Sequence, residues 1–142
     1  MRISLDKAEL DIDLIHAFLS GAYWSVGIPR HIVERAIRGS LCVGAYEPDE
    51  AGKDEQVGFA RLISDQATFA YLADVFVLPA HRGKGVARAM IQVLHDHPEL
   101  QGLRRWALFT RDMQTVYAKL GWEIYPHPER LMVRDDPDIY QR

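Results

Sequence analysis

Residues 71–94 read YLADVFVLPAHRGKGVARAMIQVL. The stretch falls into an apolar run ending at Leu78, a short turn of glycines and basic residues, and a run with helical spacing. Val86, Ala87, Met90, Ile91 and Leu94 lie on one face of a helix that the spacing places over Gly83–His97. A strand that enters a helix through a cationic, glycine-containing turn is suited to hold an anion. The first N–H groups of a helix have no partner within it, and the helix dipole favours negative charge at that end. Pro98 closes the helix.

The totals narrow the classes. A chain of 142 residues, 48% of them hydrophobic, suits one domain over residues 1–142 with a real core. The net charge of −3 gives no global pull toward nucleic acid or an anionic membrane, so neither is an expected partner. Against that balance Arg82, Lys84 and Arg88 stand out as a local basic cluster. A single cysteine, Cys42, excludes a disulfide within the chain and makes a reducing, cytoplasmic setting the expectation. In LCVGAY it reads as a small core residue rather than a nucleophile. The opening MRISLDKAEL lacks a signal-peptide apolar region, and no apolar run approaches the ~20 residues of a membrane span.

Upstream of the stretch, Ile12, Leu14, Ile15, Phe18 and Leu19 mark a helix over about Asp11–Ser20, stopped by Gly21. AYWSVG is a loop, and Pro29 opens a second helix that Gly39 ends. Leu41–Tyr46 and Gln56–Ser64 read as hairpin strands around the polar EPDEAGKDE, and Phe69–Leu78 as the next strand. Downstream, Arg104–Thr110 is apolar on both faces, as in a parallel strand under helices. Asp112–Leu120 is a short helix stopped by Gly121, WEIY is a final strand, and Arg130–Val133 is a candidate for another. The order α α β β β α β α β specifies an α/β domain, a mixed sheet with helices on its faces.

Within Tyr71–Leu78, strict alternation puts Leu72, Asp74, Phe76 and Leu78 on one face and Tyr71, Ala73, Val75 and Val77 on the other. A carboxylate in such a strand is disfavoured by propensity and by desolvation. Two readings of Asp74 stand side by side. It is a general base or anchor for a cationic amine, or a structural residue paired with an arginine or seated at a bulge. Tyr23, Trp24, Phe69 and Tyr71 read either as the lining of an acceptor pocket or as ordinary core.

The turn AHRGKGVA, Ala80–Ala87, is not a Walker loop, since the GK[ST] ending and its glycine spacing are missing. It is not the dinucleotide fingerprint, because Arg88 occupies the third glycine position. It does match Arg/Gln-x-x-Gly-x-Gly/Ala at Arg82, Gly85 and Ala87. In this the chain resembles the GNAT superfamily of N-acetyltransferases. A second match, TRDMQTVYAKLGWE, is similar to that family's Tyr-x-x-x-Gly-aromatic motif at Tyr117, Gly121 and Trp122. Trp122 replaces the usual Phe, and Asp112 stands where the family often has Asn. The likeness is strong from Tyr71 to Trp122 and vague over the first forty or so residues.

The resemblance implies a single-domain, mostly antiparallel mixed sheet flanked by helices and splayed between its fourth and fifth strands. Acetyl-CoA would lie in the opening. Its diphosphate would take the amides of Gly83, Lys84, Gly85, Val86 and Ala87, with charge-assisted bonds from Arg82 and Lys84, and Asp112 would lie beside the cofactor. A bulge in the fourth strand would free main-chain groups at Phe76 and Val77 for the pantetheine arm and the thioester carbonyl. Tyr117, which also reads as core, would protonate the departing thiolate. The resemblance does not decide between the two readings of Asp74; in the reaction expected here the amine loses its proton to Asp74, directly or through water. The implied reaction is direct acetyl transfer to a primary amine, on a small molecule or a protein, with no metal. Many relatives dimerise, so a homodimer is a further expectation. The alternative is a non-catalytic acyl-CoA-binding regulatory module, against which the presence of both Asp74 and Tyr117 argues. The six histidines suggest no metal site: His95 and His97 stand two apart and do not share a helix face.

Overall fold

The computed structural model describes residues 1–142. Five strands, β1 (Arg2–Ser4), β2 (Leu41–Pro48), β3 (Asp54–Ser64), β4 (Phe69–Val77) and β5 (Arg105–Leu108), form one sheet in sequential order. All neighbours are antiparallel except β4 and β5, which are parallel. Four α-helices complete the fold: α1 (Ile12–Gly21), α2 (Arg30–Arg38), α3 (Val86–His95) and α4 (Gln114–Ala118). The parallel pair follows from α3, since a crossover long enough to hold a helix returns the chain in the same direction.

The helices lie on opposite faces of the sheet. Ile15, Leu19, Val33 and Ile37 of α1 and α2 pack with Cys42, Phe59 and Phe76. On the other face Val86, Met90, Ile91 and Leu94 of α3 pack with Val43, Val57, Leu62, Leu72 and Val77. Burying each such large side chain contributes about 1.5–3 kcal/mol. Asp11 caps α1 by accepting the Leu14 N–H at 3.1 Å. Cys42 is buried in the α1–α2 core, and desolvation pushes its thiol up to about 11, so it stays protonated.

The alternation expected across β4 breaks at Asp74. Phe59 pairs with Phe76 but Arg61 with Ala73, so β4 carries one more residue than β3 across this interval. The additional residue is absorbed by Asp74 in the left-handed region, φ 54°. Every later side chain therefore changes face. Leu72 packs toward α3 whereas Phe76 packs toward α1 and α2, and Val77 joins the α3 side. The expected grouping of Leu72 with Asp74, Phe76 and Leu78 is corrected by this bulge.

The β4–β5 pairing runs only from Phe69↔Arg105 to Leu72↔Leu108. Beyond it Ala73–Val77 continues along β3 with no neighbour on its other side. This is the splay between the fourth and fifth strands.

Other boundaries also differ. α3 starts at Val86 rather than Gly83, because Gly83 (φ 79°) and Gly85 (φ 80°) lie in a region a helix does not use. β1 was not expected: its Arg-Ile-Ser is too short to show a period, and it is selected only by pairing with Gly44–Tyr46. Neither WEIY nor Arg130–Val133 is a strand. Pro126 and Pro128 remove ladder donors from this region, and Ile124 and Met132 stand 80% and 92% exposed. No helix is long and apolar enough to cross a membrane.

α3 seats closely on β3 because Gly58 has no side chain. A Cβ there would lie 3.1 Å from Met90 Cε and 3.2 Å from Val86 Cγ1. Gly58→Val should therefore overpack this contact and lower the unfolding free energy by about 1–3 kcal/mol, measured by urea denaturation.

Candidate active site

The turn before α3 presents main-chain donors. The N–H groups of Gly83, Lys84, Gly85, Val86, Ala87 and Arg88 have no partner in the protein, the first bond of the helix being Ala89 N–H to Gly85 O. A Cβ added at Gly83 or Gly85 would meet nothing within 4 Å, so a bulky anion can approach this backbone freely. Arg82 Nε donates to Val77 O at 2.9 Å, tying the turn to the end of β4. Arg82, Lys84 and Arg88 enter no ion pair, so their charge remains available to a ligand. His81 is engaged elsewhere, its Nδ1 lying 2.8 Å from Glu47 Oε2.

The end of β4 faces the opening. Leu78 N–H donates to Val57 O at 2.8 Å. Antiparallel alternation then turns the main chain of Phe76 toward β3 and that of Val77 toward the unpaired side. Val77 O is taken by Arg82, which leaves the Val77 N–H directed into the opening.

Asp74 is held by two donors. Trp24 Nε1 donates to Oδ1 at 2.8 Å and Arg61 Nε to Oδ2 at 2.8 Å. Arg61 Nη1 continues to Ser40 Oγ at 3.1 Å, which in turn donates to Ala36 O at 2.6 Å. The carboxylate and guanidinium are only 12% and 16% exposed, so solvent screens the pair weakly. This is the geometry of the structural reading in both its forms, an arginine pair and a bulge residue. The network joins the α1–α2 loop, the end of α2, β3 and β4.

Tyr117 lies across the opening on α4. It packs with the α3-side core and also lines a cavity of about 590 Å³ that it shares with Asp74, Trp24, Tyr71 and Asp112. Burial first, then the neighbouring Tyr23, pushes its phenol up to about 12, so it remains a proton donor at neutral pH. Trp122 N–H bonds Tyr117 O at 3.1 Å, and Gly121 makes the reversal with φ 93°. The Trp122 ring stacks on His95 and donates Nε1–H to His95 Nε2 at 3.2 Å. Trp106 meets His95 edge-on at 5.0 Å, closing an aromatic box that docks α4 on α3 and β5. Asp112 is exposed in the bend before α4, on the cavity wall rather than at the glycine turn.

A model described as the acetyltransferase (GNAT) domain matches residues 38–124. The chain belongs to the GNAT family. That span holds β2 to α4 and so includes the turn, the bulge and Tyr117, while α1 and nearly all of α2 lie before it. A protein of Gibberella zeae named as an acetyltransferase is 37% identical, over 87% of this GNAT chain and 79% of its own. A crystal structure of a Xanthomonas campestris pv. campestris protein, placed by its name in the GNAT family, is 46% identical. It covers 99% of this chain and 96% of that one with a TM-score of 0.91. Rv2747 of Mycobacterium tuberculosis, solved in complex with CoA and NLQ, shares the fold at 22% identity, covering 85% of this chain and 70% of that one, with a TM-score of 0.65.

Sequence reasoning passed over Arg61. The signal was present: a lone cation inside the apolar QVGFARLIS, an anomaly of the same kind as Asp74 one strand away.

Two outcomes follow for this GNAT domain. Asp74→Asn keeps an acceptor for Trp24 but sets an amide N–H against Arg61. It should lower stability by about 1.5–3 kcal/mol in chemical denaturation, the range for a hydrogen bond to a charged group. Burial lowers the pKa of His95 in the folded protein, Asp96 opposing it, and the ring accepts from Trp122. The unfolded state then binds the extra proton, and stability falls as pH drops through about 6.5. Melting curves should show that acid-side loss in the native protein and a smaller one in His95→Gln.

Proposed function

We propose that this GNAT domain transfers an acetyl group from acetyl-CoA directly to a primary amine. The observation that carries this reading is the unpartnered run of amides from Gly83 to Arg88, placed beside the opening into which Val77 N–H is directed and which Tyr117 lines. Rv2747, a structural relative solved with CoA, supports it. When bound, acetyl-CoA supplies an activated acetyl group as a thioester.

The residues divide the work by chemistry. The free amides, the α3 dipole and the cations Arg82 and Lys84 hold the diphosphate; the dipole contributes about 0.3–2 kcal/mol. Val77 N–H stands as donor to the carbonyl oxygen as it gains charge. Tyr117 holds its proton for the sulfur as the C–S bond breaks. Asp74 positions β4 and the Trp24 loop, and the amine releases its proton to water. Most of the acceleration comes from holding two substrates together. Cytoplasmic placement rests on the lone, buried, protonated Cys42.

CoA and acetyl-CoA should each raise the melting temperature of the purified protein, while ATP should not. Tyr117→Phe should lower kcat at saturating substrates by about 100-fold or more, as expected for loss of a general acid; unchanged turnover would sink that role. The rate should climb with pH toward the pKa of the amine, with no falling limb from Tyr117 below about pH 10. Stabilisation by acetyl-CoA without transfer to any amine would identify an acyl-CoA-binding module instead.

A further inference from the structure

We infer that the acceptor is a compact amine with a single positive charge on an apolar body, aromatic or branched aliphatic, and that polyamines, aminoglycosides and lysine-containing peptides are poor acceptors. This acceptor class presupposes acetyl transfer at the β4–β5 opening. What decides it is the wall of the 590 Å³ cavity on the α1–α2 side of β4, a volume that suits a small organic ligand. Ile28, Ile32 and Ile37 line it from the helix side. Trp24, Tyr71 and Phe109 bring aromatic rings, the last two packed edge to face with centroids 5.9 Å apart. Such surfaces gain free energy by covering an apolar body and offer little to a hydrated chain of ammonium groups.

The charges on the wall point the same way. Asp74, the one carboxylate in the interior, is neutralised by Arg61 at 2.8 Å and accepts a second bond from Trp24. The guanidinium of Arg111 lies 3.9 Å over the Tyr23 ring at the mouth and has no carboxylate partner. It therefore repels a second cationic group entering there. Asp112 is the only carboxylate on the wall outside an ion pair, and it is exposed to solvent. An acceptor with several ammonium groups would bury at least one against apolar surface or against Arg111, with nothing to offset its desolvation. A single amine avoids this, since its nitrogen loses the charge before it forms the amide bond.

The test compares acetyl-CoA turnover on phenethylamine, tyramine and isopentylamine with turnover on spermidine, kanamycin and a lysine peptide. The first group should show kcat/KM at least about tenfold higher, a difference of about 1.4 kcal/mol. Arg111→Glu, at an exposed position, should raise turnover of spermidine relative to phenethylamine. Equal or faster turnover of the polycations by the native protein would overturn the assignment. Where no amine is acetylated, titration of phenethylamine against tryptophan fluorescence and melting temperature decides. Saturable binding of phenethylamine but not of spermidine upholds the pocket chemistry and places the failure on the transfer reading, and absence of phenethylamine binding overturns the inference. Loss of CoA stabilisation alongside intact amine binding would count against acetyl transfer only.

Discussion

Asp74 bound between Arg61 and Trp24 is the constraint on which the opening depends. A left-handed residue in mid-strand is tolerated by aspartate better than by most side chains, and two donors on its carboxylate hold it there. The bulge it makes turns the remainder of β4 over. Phe76 goes to the α1–α2 core, Val77 to the α3 core, and the Val77 N–H to the side that β5 has vacated. A regular strand here would have kept Leu72 and Phe76 on one face and aimed different main-chain groups into the opening.

α3 is the second organising part, and its two ends do different work. Its first turn holds out unpaired amides because the two left-handed glycines delay the start of the helix. Its last turn carries His95, against which Trp106 and Trp122 pack, so the helix also fixes where α4 stands and hence where the Tyr117 ring reaches. Between them Met90 lies over Gly58, and the absence of a Cβ there sets the distance from helix to sheet. The turn with its unpaired amides and Tyr117 are thus positioned by one rigid element.

Strong local signals were legible in the chain. The helical spacing of α1, α2 and α3 and the hairpin of β2 and β3 needed no tertiary knowledge, and the turn at Arg82–Ala87 could be told from two better-known glycine motifs by spacing alone. Where tertiary pairing chose the structure, the reading failed. β1 exists because β2 offers it an edge. The tail after Gly121 has strand-like composition but no ladder, because prolines interrupt it and Trp122 is drawn inward to His95. The bulge was expected from the resemblance and as one reading of Asp74, but alternation could not show its effect on the faces, since period-two patterning presumes the regular strand that Asp74 interrupts.

By itself the sequence determined the class of fold, the existence of a cationic, glycine-containing turn before a helix and the presence of a tyrosine downstream of it, since all three rest on short-range spacing. Only the tertiary structure decided that Asp74 is bonded to Arg61 and Trp24, that Val77 rather than Phe76 turns its main chain to the opening, and that the cavity beside β4 is largely apolar with its interior carboxylate paired. These depend on Arg61 and Trp24, 13 and 50 residues away from Asp74 in the chain. Local patterning carries no information about which distant charge a carboxylate will meet, because Arg61 and Trp24 reach Asp74 only through the folded chain.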